Sequence, residues 1–242
     1  MTIVGFDTAL PTTSACVLRD DAQAFATPPP DPARLFEPAG HSAELLPELQ
    51  RLLAEAEIDW GDVEALAVGV GPGTFTGLRI GVATARALAQ ALALEIRPVS
   101  SLTALAAGLN EAIESHGRPL LPLIDARRRQ VFAALFRSAG TQHKPEPAWE
   151  PAVMDPDDVI ESVRRLDAPL AAGDWALRSR EKLEDAGADV PASDSGLHAV
   201  SALHVCRLGA RVEPVAPEDV RPLYLRLPDA EVNRRLARQQ DH

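Results

Sequence analysis

The feature that most constrains the fold is a strand–turn–strand unit that occurs near the start of each half of the chain. In the first half, the apolar strand IVGFD (3–7) ends in an aspartate, and TTSACVL (12–18) follows a turn containing Pro11. In the second half, LLPLIDA (120–126) also carries an aspartate near its end, and VFAALF (131–136) follows the sequence RRRQ. Closely spaced runs of β-prone residues separated by turn residues predict hairpins. We therefore expect each half to begin with the same hairpin.

Between and after the two hairpins, predicted strands alternate with predicted helices, which is typical of an α/β fold. The further elements expected are a helix over 42–56, a strand over 65–70, a helix over 76–93, a strand over 96–100, helices over 101–115 and 157–166, a strand over 169–174, and helices over 175–186, 196–211 and 229–242. The segment 140–158 is dense in proline and acidic residues and is predicted to be a loop. We divide the chain into a first lobe, 1–108, and a second lobe, 109–242, whose C-terminal helix is expected to pack back on the first.

Composition and charge limit the class of function. The chain has 242 residues and a formal net charge of −11. Because phosphate neutralisation by cationic groups supplies most nucleic-acid affinity, we do not expect the chain to bind nucleic acid strongly by itself. It has no apolar run of about eighteen residues and no basic leader, so a soluble cytoplasmic protein without membrane contact is expected. Cys16 and Cys206 lack metal-binding spacing and are predicted to be reduced and packed in the core.

A glycine-rich turn, GVGPGTFTG, lies between the strand 65–70 and the helix 76–93. Gly71, Gly73 and Gly77 give a spacing that superficially resembles a dinucleotide-binding fingerprint, but that fingerprint normally follows the first strand of its domain. The phosphate-binding loop of nucleoside triphosphatases is excluded too, because no Lys-Ser or Lys-Thr pair follows the glycines. Two interpretations stay open: the turn binds an anion at the helix N-terminus, or the glycines let the strand and the helix approach closely.

The helix 76–93 has two apolar flanks, whereas a surface helix that lies on a sheet needs only one. One flank carries Gly77, Leu78, Gly81, Val82, Ala85 and Ala89. The opposite flank carries Ile80, Ala83, Ala87, Ala91 and Leu94. The helix is therefore expected to be covered on two sides, either by its own sheet and a second structure or as the centre of one core. The preceding helix has one apolar face of its own, made of Leu45, Leu49, Leu52, Leu53 and Ala56.

Several stretches of the chain together resemble the TsaB (YeaZ) family. They are the run GVGPGTFTGLRIGVATARALA, HSAELLP before it, VSSLTALA and IDARRRQVFAALF after it, and RPLYLR near the C-terminus. The resemblance is strongest over residues 3–137. It implies an actin-like ATPase (ASKHA, ribonuclease H-like) fold of two lobes that each open with a hairpin. It also implies a role in the N6-threonylcarbamoyl modification of the adenosine beside the anticodon in tRNAs that read ANN codons.

The resemblance implies partners rather than a reaction carried out by this chain. TsaB-like proteins are noncatalytic and pair, through helices of the first lobe, with a TsaD-like transferase that carries the metal-dependent step. A TsaE-like ATPase is implied in a larger complex, and a homodimer is implied when the chain is alone. Contact with tRNA is expected mainly through the transferase. Because small residues at every fourth position let another helix come close, we assign five residues to the interface: Leu45, Leu49, Gly77, Gly81 and Ala85.

Comparison with the catalytic paralogues implies that the chain has no metal site and no catalytic residue. TsaD-like proteins bind their metal through two histidines in an H-x-x-x-H spacing, whereas this chain reads HSAEL, with Leu45 in place of the second histidine. His41 is then expected to be part of the helix start. An alternative class stays open: an ASKHA-type kinase or ATPase, or a metallopeptidase as older family labels suggest.

Polar residues of the two hairpins also allow two interpretations each. Asp7 and Thr8 could meet a residual ATP or ADP, or Asp7 could bond to N–H groups of its own turn. No lysine or glutamine that would orient a nucleophile accompanies them, so the chain is expected to need no cofactor. Arg127, Arg128 and Arg129 at the second hairpin tip form either a solvated turn or a contact with tRNA or an acidic partner.

Overall fold

The structure is a computed structural model that describes residues 1–19, 23–112, 117–138 and 145–226, and it contains two β-sheets with helices packed on both. The strands of the first sheet are β1 (Ile3–Asp7), β2 (Ser14–Arg19), β3 (Gln23–Ala26), β4 (Ala65–Gly71) and β5 (Glu95–Ser100). The strands of the second sheet are β6 (Pro119–Arg127), β7 (Gln130–Arg137), β8 (Glu146–Met154) and β9 (Leu170–Ala172). The α-helices are α1 (His41–Glu55), α2 (Phe75–Leu92), α3 (Ser101–Glu111), α4 (Pro156–Val163), α5 (Asp174–Arg178), α6 (Arg180–Asp185) and α7 (Ala202–Gly209).

The second sheet repeats the strand arrangement of the first. The strand order is β3-β2-β1-β4-β5 in the first sheet and β8-β7-β6-β9 in the second. β1 pairs antiparallel with β2 and parallel with β4, and β6 pairs in the same way with β7 and β9. Both predicted hairpins are therefore confirmed, and each supplies a central strand of its sheet.

The helices form three layers, with the two sheets between them. α1 and α2 pack on the outer face of the first sheet, and α4 to α6 pack on the outer face of the second. α3 and α7 lie between the sheets, where one core cluster includes Ile3 of β1 and Leu120 of β6. Cys16 and Cys206 are free and buried in this middle layer, as predicted.

All strands of the first sheet precede residue 101 and all strands of the second follow residue 118, but two helices contact the sheet formed by the other half of the chain. α3 contacts β6 of the second sheet, and α7, from the second half of the chain, contacts β1 and β2 of the first. After α7 the chain stays on the first sheet, because Val215 N donates to Ile96 O at 2.8 Å and Leu223 N donates to Val70 O at 2.7 Å. The lobe boundary itself stays a prediction, and the two sheets share one middle layer.

One predicted loop is a strand. Within the segment 140–158, residues Glu146–Met154 form β8, which pairs antiparallel with β7 at the edge of the second sheet. The prediction of a loop was wrong because it rested on Pro147 and Pro151. Proline is excluded from central strands but is tolerated on an edge strand such as β8. The short edge strand β3 of the first sheet was not predicted either.

Two predicted helices are shorter or broken. The helix expected over 175–186 is divided at Ser179 into α5 and α6. Of the helix expected over 196–211, only α7 is α-helical, and a 3-10 turn at Gly196–His198 precedes it. The tail helix expected over 229–242 lies outside the described residues. Within the described ranges, no helix is long and apolar enough to cross a membrane.

Candidate functional site

The turn of the first hairpin is buried beneath the N-terminal end of α2. Thr8, Ala9 and Leu10 are at most 1% exposed. Thr8 Oγ1 donates to the carbonyl oxygen of Gly77 at 2.8 Å, and Thr74 N donates to the carbonyl oxygen of Ala9 at 2.8 Å. The helix therefore covers the hairpin turn and is hydrogen-bonded to it.

The glycines of the motif make this close approach possible. A Cβ atom at Gly73 would lie 2.5 Å from the carbonyl oxygen of Ala9, and one at Gly77 would overlap the carbonyl oxygen of Thr8. A Cβ atom at Gly81 would overlap the hydroxyl group of Thr8. Only glycine leaves enough space for backbone to approach backbone in this way. Of the two interpretations of the motif, the structure shows close packing.

Both carboxylate oxygens of Asp7 accept hydrogen bonds from other groups of the chain. Its Oδ1 accepts from Ala9 N at 2.7 Å, and its Oδ2 accepts from Ser101 Oγ at 2.6 Å. Burial raises the pKa of the Asp7 carboxyl group, and the hydrogen bonds from Ser101 and Ala9 oppose that rise. Asp7 thus bonds to an N–H group of its own turn. The side chains of both Asp7 and Thr8 are therefore buried and hydrogen-bonded within the chain.

His41 is the first residue of α1 and is 2% exposed. Thr13 Oγ1 donates to Glu44 Oε2 at 2.9 Å, so it accepts from His41 Nδ1, which lies 2.8 Å away. Burial lowers the pKa of His41, and the nearby Glu44 carboxylate opposes this. Leu45, one turn along the helix, is buried in the apolar core. No group of three or more His, Cys, Asp or Glu residues with metal-binding geometry occurs in the part of the chain that the structure describes.

The five residues assigned to the interface do not lie on the surface. Leu45, Leu49 and Ala85 are buried in the cluster that packs α1 and α2 on the first sheet. Gly77 and Gly81 are buried against the first hairpin turn. The expected orientation of α2 is therefore wrong: its glycine-containing flank faces the chain's own sheet. The small residues Gly77 and Gly81 pack against the first hairpin turn rather than against a helix of a partner.

The opposite flank of α2 is the one that faces outward. Ala83 and Ala87 are exposed, and Ile80 is half-buried. On the neighbouring helix α1, Leu46 is 48% exposed. We call this set, Leu46 with Ile80, Ala83 and Ala87, the outer helix face. Exposed apolar residues grouped on adjacent helices are typical of protein–protein contact sites.

An aromatic and arginine cluster borders the N-terminal end of α2. The rings of Phe75 and Tyr224 lie 5.2 Å apart, and the Arg79 guanidinium lies 3.8 Å above the Phe75 ring. Arg79 Nε donates to Tyr224 Oη at 3.2 Å. This contact joins the RPLYLR segment to the glycine motif. Nothing local in the sequence indicates where the C-terminal segment lies, so this contact was not predicted.

The tip of the second hairpin has an unusual backbone. Arg127, Arg128 and Arg129 are exposed and have φ values of 61°, 51° and 59°. Each non-glycine residue in this left-handed region costs about 1 kcal/mol or more. Arg128 and Arg129 form a two-residue connection between β6 and β7, a position at which Asn-Gly is the favoured pair. The tip therefore carries residues that its backbone does not favour.

Two carboxylates lie behind this tip. Asp174 Oδ1 accepts from Asp125 N at 2.9 Å. Burial raises the pKa of Asp174 to about 6, and the nearby Asp125 carboxylate adds to the rise. Asp125 Oδ2 forms ion pairs with Arg127 NH1 at 3.2 Å and with Arg178 Nε at 3.8 Å.

Comparisons with known proteins agree with this architecture. The family model described as "TsaD: tRNA N6-adenosine threonylcarbamoyltransferase" matches residues 38–213. The tRNA threonylcarbamoyladenosine biosynthesis protein TsaB of Bacillus subtilis (strain 168) is 30% identical over 240 residues, which cover 96% of this chain and 96% of that protein. The protein of the same name from Escherichia coli (strain K12) is 31% identical over 78% of this chain and 82% of its own length. The solved structure of YeaZ from Pseudomonas aeruginosa has a TM-score of 0.73 and 27% identity, and covers 93% of this chain and 99% of that chain.

The two matching hairpin-led sheets, with helices between and outside them, define a protein of the actin-like ATPase (ASKHA) fold. Helix α2 covers the turn of its first hairpin, and apolar side chains are exposed on α1 and α2. The chain belongs to the TsaB (YeaZ) family.

Proposed function

We propose that this chain is a noncatalytic partner of a TsaD-like transferase, required for threonylcarbamoyladenosine formation in tRNAs that read ANN codons. Its TsaB-named relatives and the matching TsaD family model support a place in this pathway. The buried turn of the first hairpin is the observation that supports the noncatalytic assignment, because Asp7 and Thr8 are buried and hydrogen-bonded within the chain. Side chains held in this way do not reach a substrate or a nucleotide phosphate. The chain accordingly needs no cofactor of its own.

The transferase contacts the outer helix face in this proposal. Leu46 supplies exposed apolar area, and the small side chains of Ala83 and Ala87 allow a partner helix to approach closely. A second copy of the chain occupies the same face when the transferase is absent. A TsaE-like ATPase joins the larger complex, and tRNA is contacted mainly through the transferase. All of these components act in the cytoplasm.

Reconstitution of the modification in vitro tests this function. With tRNA, threonine, bicarbonate and ATP, the purified chain alone should form no threonylcarbamoyladenosine. When a threonylcarbamoyl-adenylate synthase and a TsaD-like protein are present, addition of the chain should be required for product. Equal product without the chain would remove the proposal. ATP turnover by the chain alone, lost on substitution of Asp7, would instead favour the kinase or ATPase class.

A further inference from the structure

Arginines and one exposed aromatic ring form a continuous surface that crosses both lobes. Phe36 of the first lobe is 43% exposed, and the Arg178 guanidinium lies 4.7 Å from the centre of its ring. Arg178 is in turn connected to Arg127 at the hairpin tip, because both arginines pair with Asp125. We call this set the arginine surface: Phe36, Arg127, Arg128, Arg129 and Arg178.

The arginine surface is concentrated positive charge on an acidic protein. The whole chain carries a formal net charge of −11, whereas the arginine surface holds four arginines, two of which pair with Asp125, in front of the buried Asp174. Arg226 NH1 also reaches this place, where it donates to the carbonyl oxygen of Ala126 at 2.8 Å. Three consecutive like charges sit in a left-handed backbone that favours asparagine and glycine. A sequence that is locally unfavourable in two ways is expected where the side chains have a function.

We propose that the arginine surface binds RNA, with the hairpin tip contacting phosphates and Phe36 and Arg178 stacking on unpaired bases. Guanidinium groups match phosphate geometry, and unpaired bases stack on aromatic rings and on guanidinium planes. An exposed aromatic ring beside a guanidinium group suits an unpaired base next to a phosphate, and an acidic protein partner is the alternative that the measurement below distinguishes. The inference deepens the proposed function, on which it rests for the choice of tRNA as the RNA, but RNA binding can be measured on this chain without the modification reaction.

A paired substitution at the tip removes charge without disturbing the fold. Arg128→Asn with Arg129→Gly introduces the pair that the backbone favours. The matched control is Arg164→Gln with Arg165→Gln, which removes two exposed arginines that pair with Glu161 elsewhere on the second lobe. Both double variants change the net charge by the same amount. Phe36→Leu forms a third variant that keeps an apolar side chain but removes the aromatic ring.

The measurement is the fluorescence anisotropy of labelled, unmodified tRNA titrated with the full chain, alone and together with a TsaD-like protein. The tip variant should bind about tenfold more weakly at low salt, and its salt dependence should fall by about 1.4 in log–log slope, since each phosphate contact contributes about 0.7. Phe36→Leu should weaken binding about fivefold, because a stacked base is lost, with the slope unchanged. The control variant should bind within about twofold of the wild type, because its arginines lie outside the arginine surface.

Three outcomes would overturn the inference. The first is tRNA binding by the tip variant with the affinity and salt slope of the wild type. The second is an equal loss in the control variant, which would indicate a general charge effect. The third is unchanged RNA binding with loss of a protein partner, which would assign the tip to an acidic protein surface. Failure of the proposed function is distinguishable: the chain would be dispensable in the reconstituted reaction while tRNA binding still depended on the tip.

Discussion

The turns of the two hairpins are built from the same strand arrangement but have opposite environments. In the first hairpin, Thr8, Ala9 and Leu10 are at most 1% exposed. In the second hairpin, Arg128 and Arg129 are exposed at the tip of β6 and β7. The difference shows that the hairpin alone does not determine a function in this fold.

The element that follows the parallel strand determines the difference. In the first lobe, β4 leads into the long helix α2, whose glycines allow it to lie over the hairpin turn. In the second lobe, β9 leads into the five-residue helix α5, which starts with the buried Asp174. Asp174 bonds to Asp125 at the end of the strand and does not cover the tip. The first turn is thus buried beneath a helix, whereas the second tip is exposed to solvent.

The largest effect is expected from a pair of substitutions that tests which flank of α2 packs on the first sheet and hairpin turn. Ala85→Glu should lower the free energy of unfolding by about 4 kcal/mol, because it places an unpaired carboxylate in the core beneath α2. Ala83→Glu, on the exposed flank, should leave the circular dichroism spectrum and urea unfolding nearly unchanged. The second variant should instead fail to co-elute with a TsaD-like protein in size-exclusion chromatography.

Other results for this pair would change the assignment of the flanks. Unfolding of both variants would mean that α2 is buried on both sides. Normal co-elution of a folded Ala83→Glu variant would place the partner contact elsewhere. A folded Ala85→Glu variant that loses the partner would restore the original expectation for the glycine-containing flank.

Gly77→Ala should disrupt the packing of α2 against the first hairpin turn. The added methyl group would overlap the carbonyl oxygen of Thr8, and overpacking of this kind costs about 3 kcal/mol. Gly108→Ala in α3 is the matched control, because its new methyl group would lie 3.4 Å from the nearest ring atoms of His204. The control should be neutral or stabilising by up to about 1 kcal/mol, since alanine favours a helix interior. Urea unfolding measures both, and equal effects would contradict the close-packing explanation of the motif.

Asp174→Asn should remove a pH dependence that belongs to the second lobe. The pKa of Asp174 is raised from 3.8 to about 6, mainly by burial, so the folded chain holds this proton more tightly than the unfolded chain. The resulting stability is complete below about pH 4 and is lost as the pH rises through about 6, a loss of roughly 2 to 3 kcal/mol. The asparagine variant keeps the acceptor for Asp125 N and should match the wild type at pH 4 but exceed it at pH 7. Equal differences at both pH values would assign the effect to packing instead.

The sequence predicted the repeated hairpins because their strands are short, apolar and bounded by turn residues. It did not predict the orientation of α2, because a helical period of about 3.6 residues shows that two flanks are apolar but not which one is covered. Gly77 and Gly81 made the choice harder, since a seam of small residues suits a partner helix as well as the chain's own turn. Only the position of Thr8 in three dimensions distinguishes them.

The other features that the sequence did not predict also depend on contacts between residues that are far apart in the chain. β8 was missed because Pro147 and Pro151 are acceptable only once the strand is known to lie at an edge. Phe36 and Arg178, which meet across the two lobes, are far apart in the sequence and carry no shared motif. Charge was easier to recognise than burial, so the hairpin arginines were identified and Asp174 was not.

The smallest expected effect has the opposite sign to that of Gly77→Ala and completes the comparison between the two turns. Arg128→Asn with Arg129→Gly should raise the free energy of unfolding by about 1 kcal/mol, because asparagine and glycine adopt positive φ at lower cost than arginine. Removal of two neighbouring like charges acts in the same direction. Urea unfolding at low and high salt separates the two contributions, since only the electrostatic part is screened. A double variant less stable than the wild type at both salt concentrations would mean that the arginines hold the tip together, and that the open turn, like the sealed one, is a structural element of the fold.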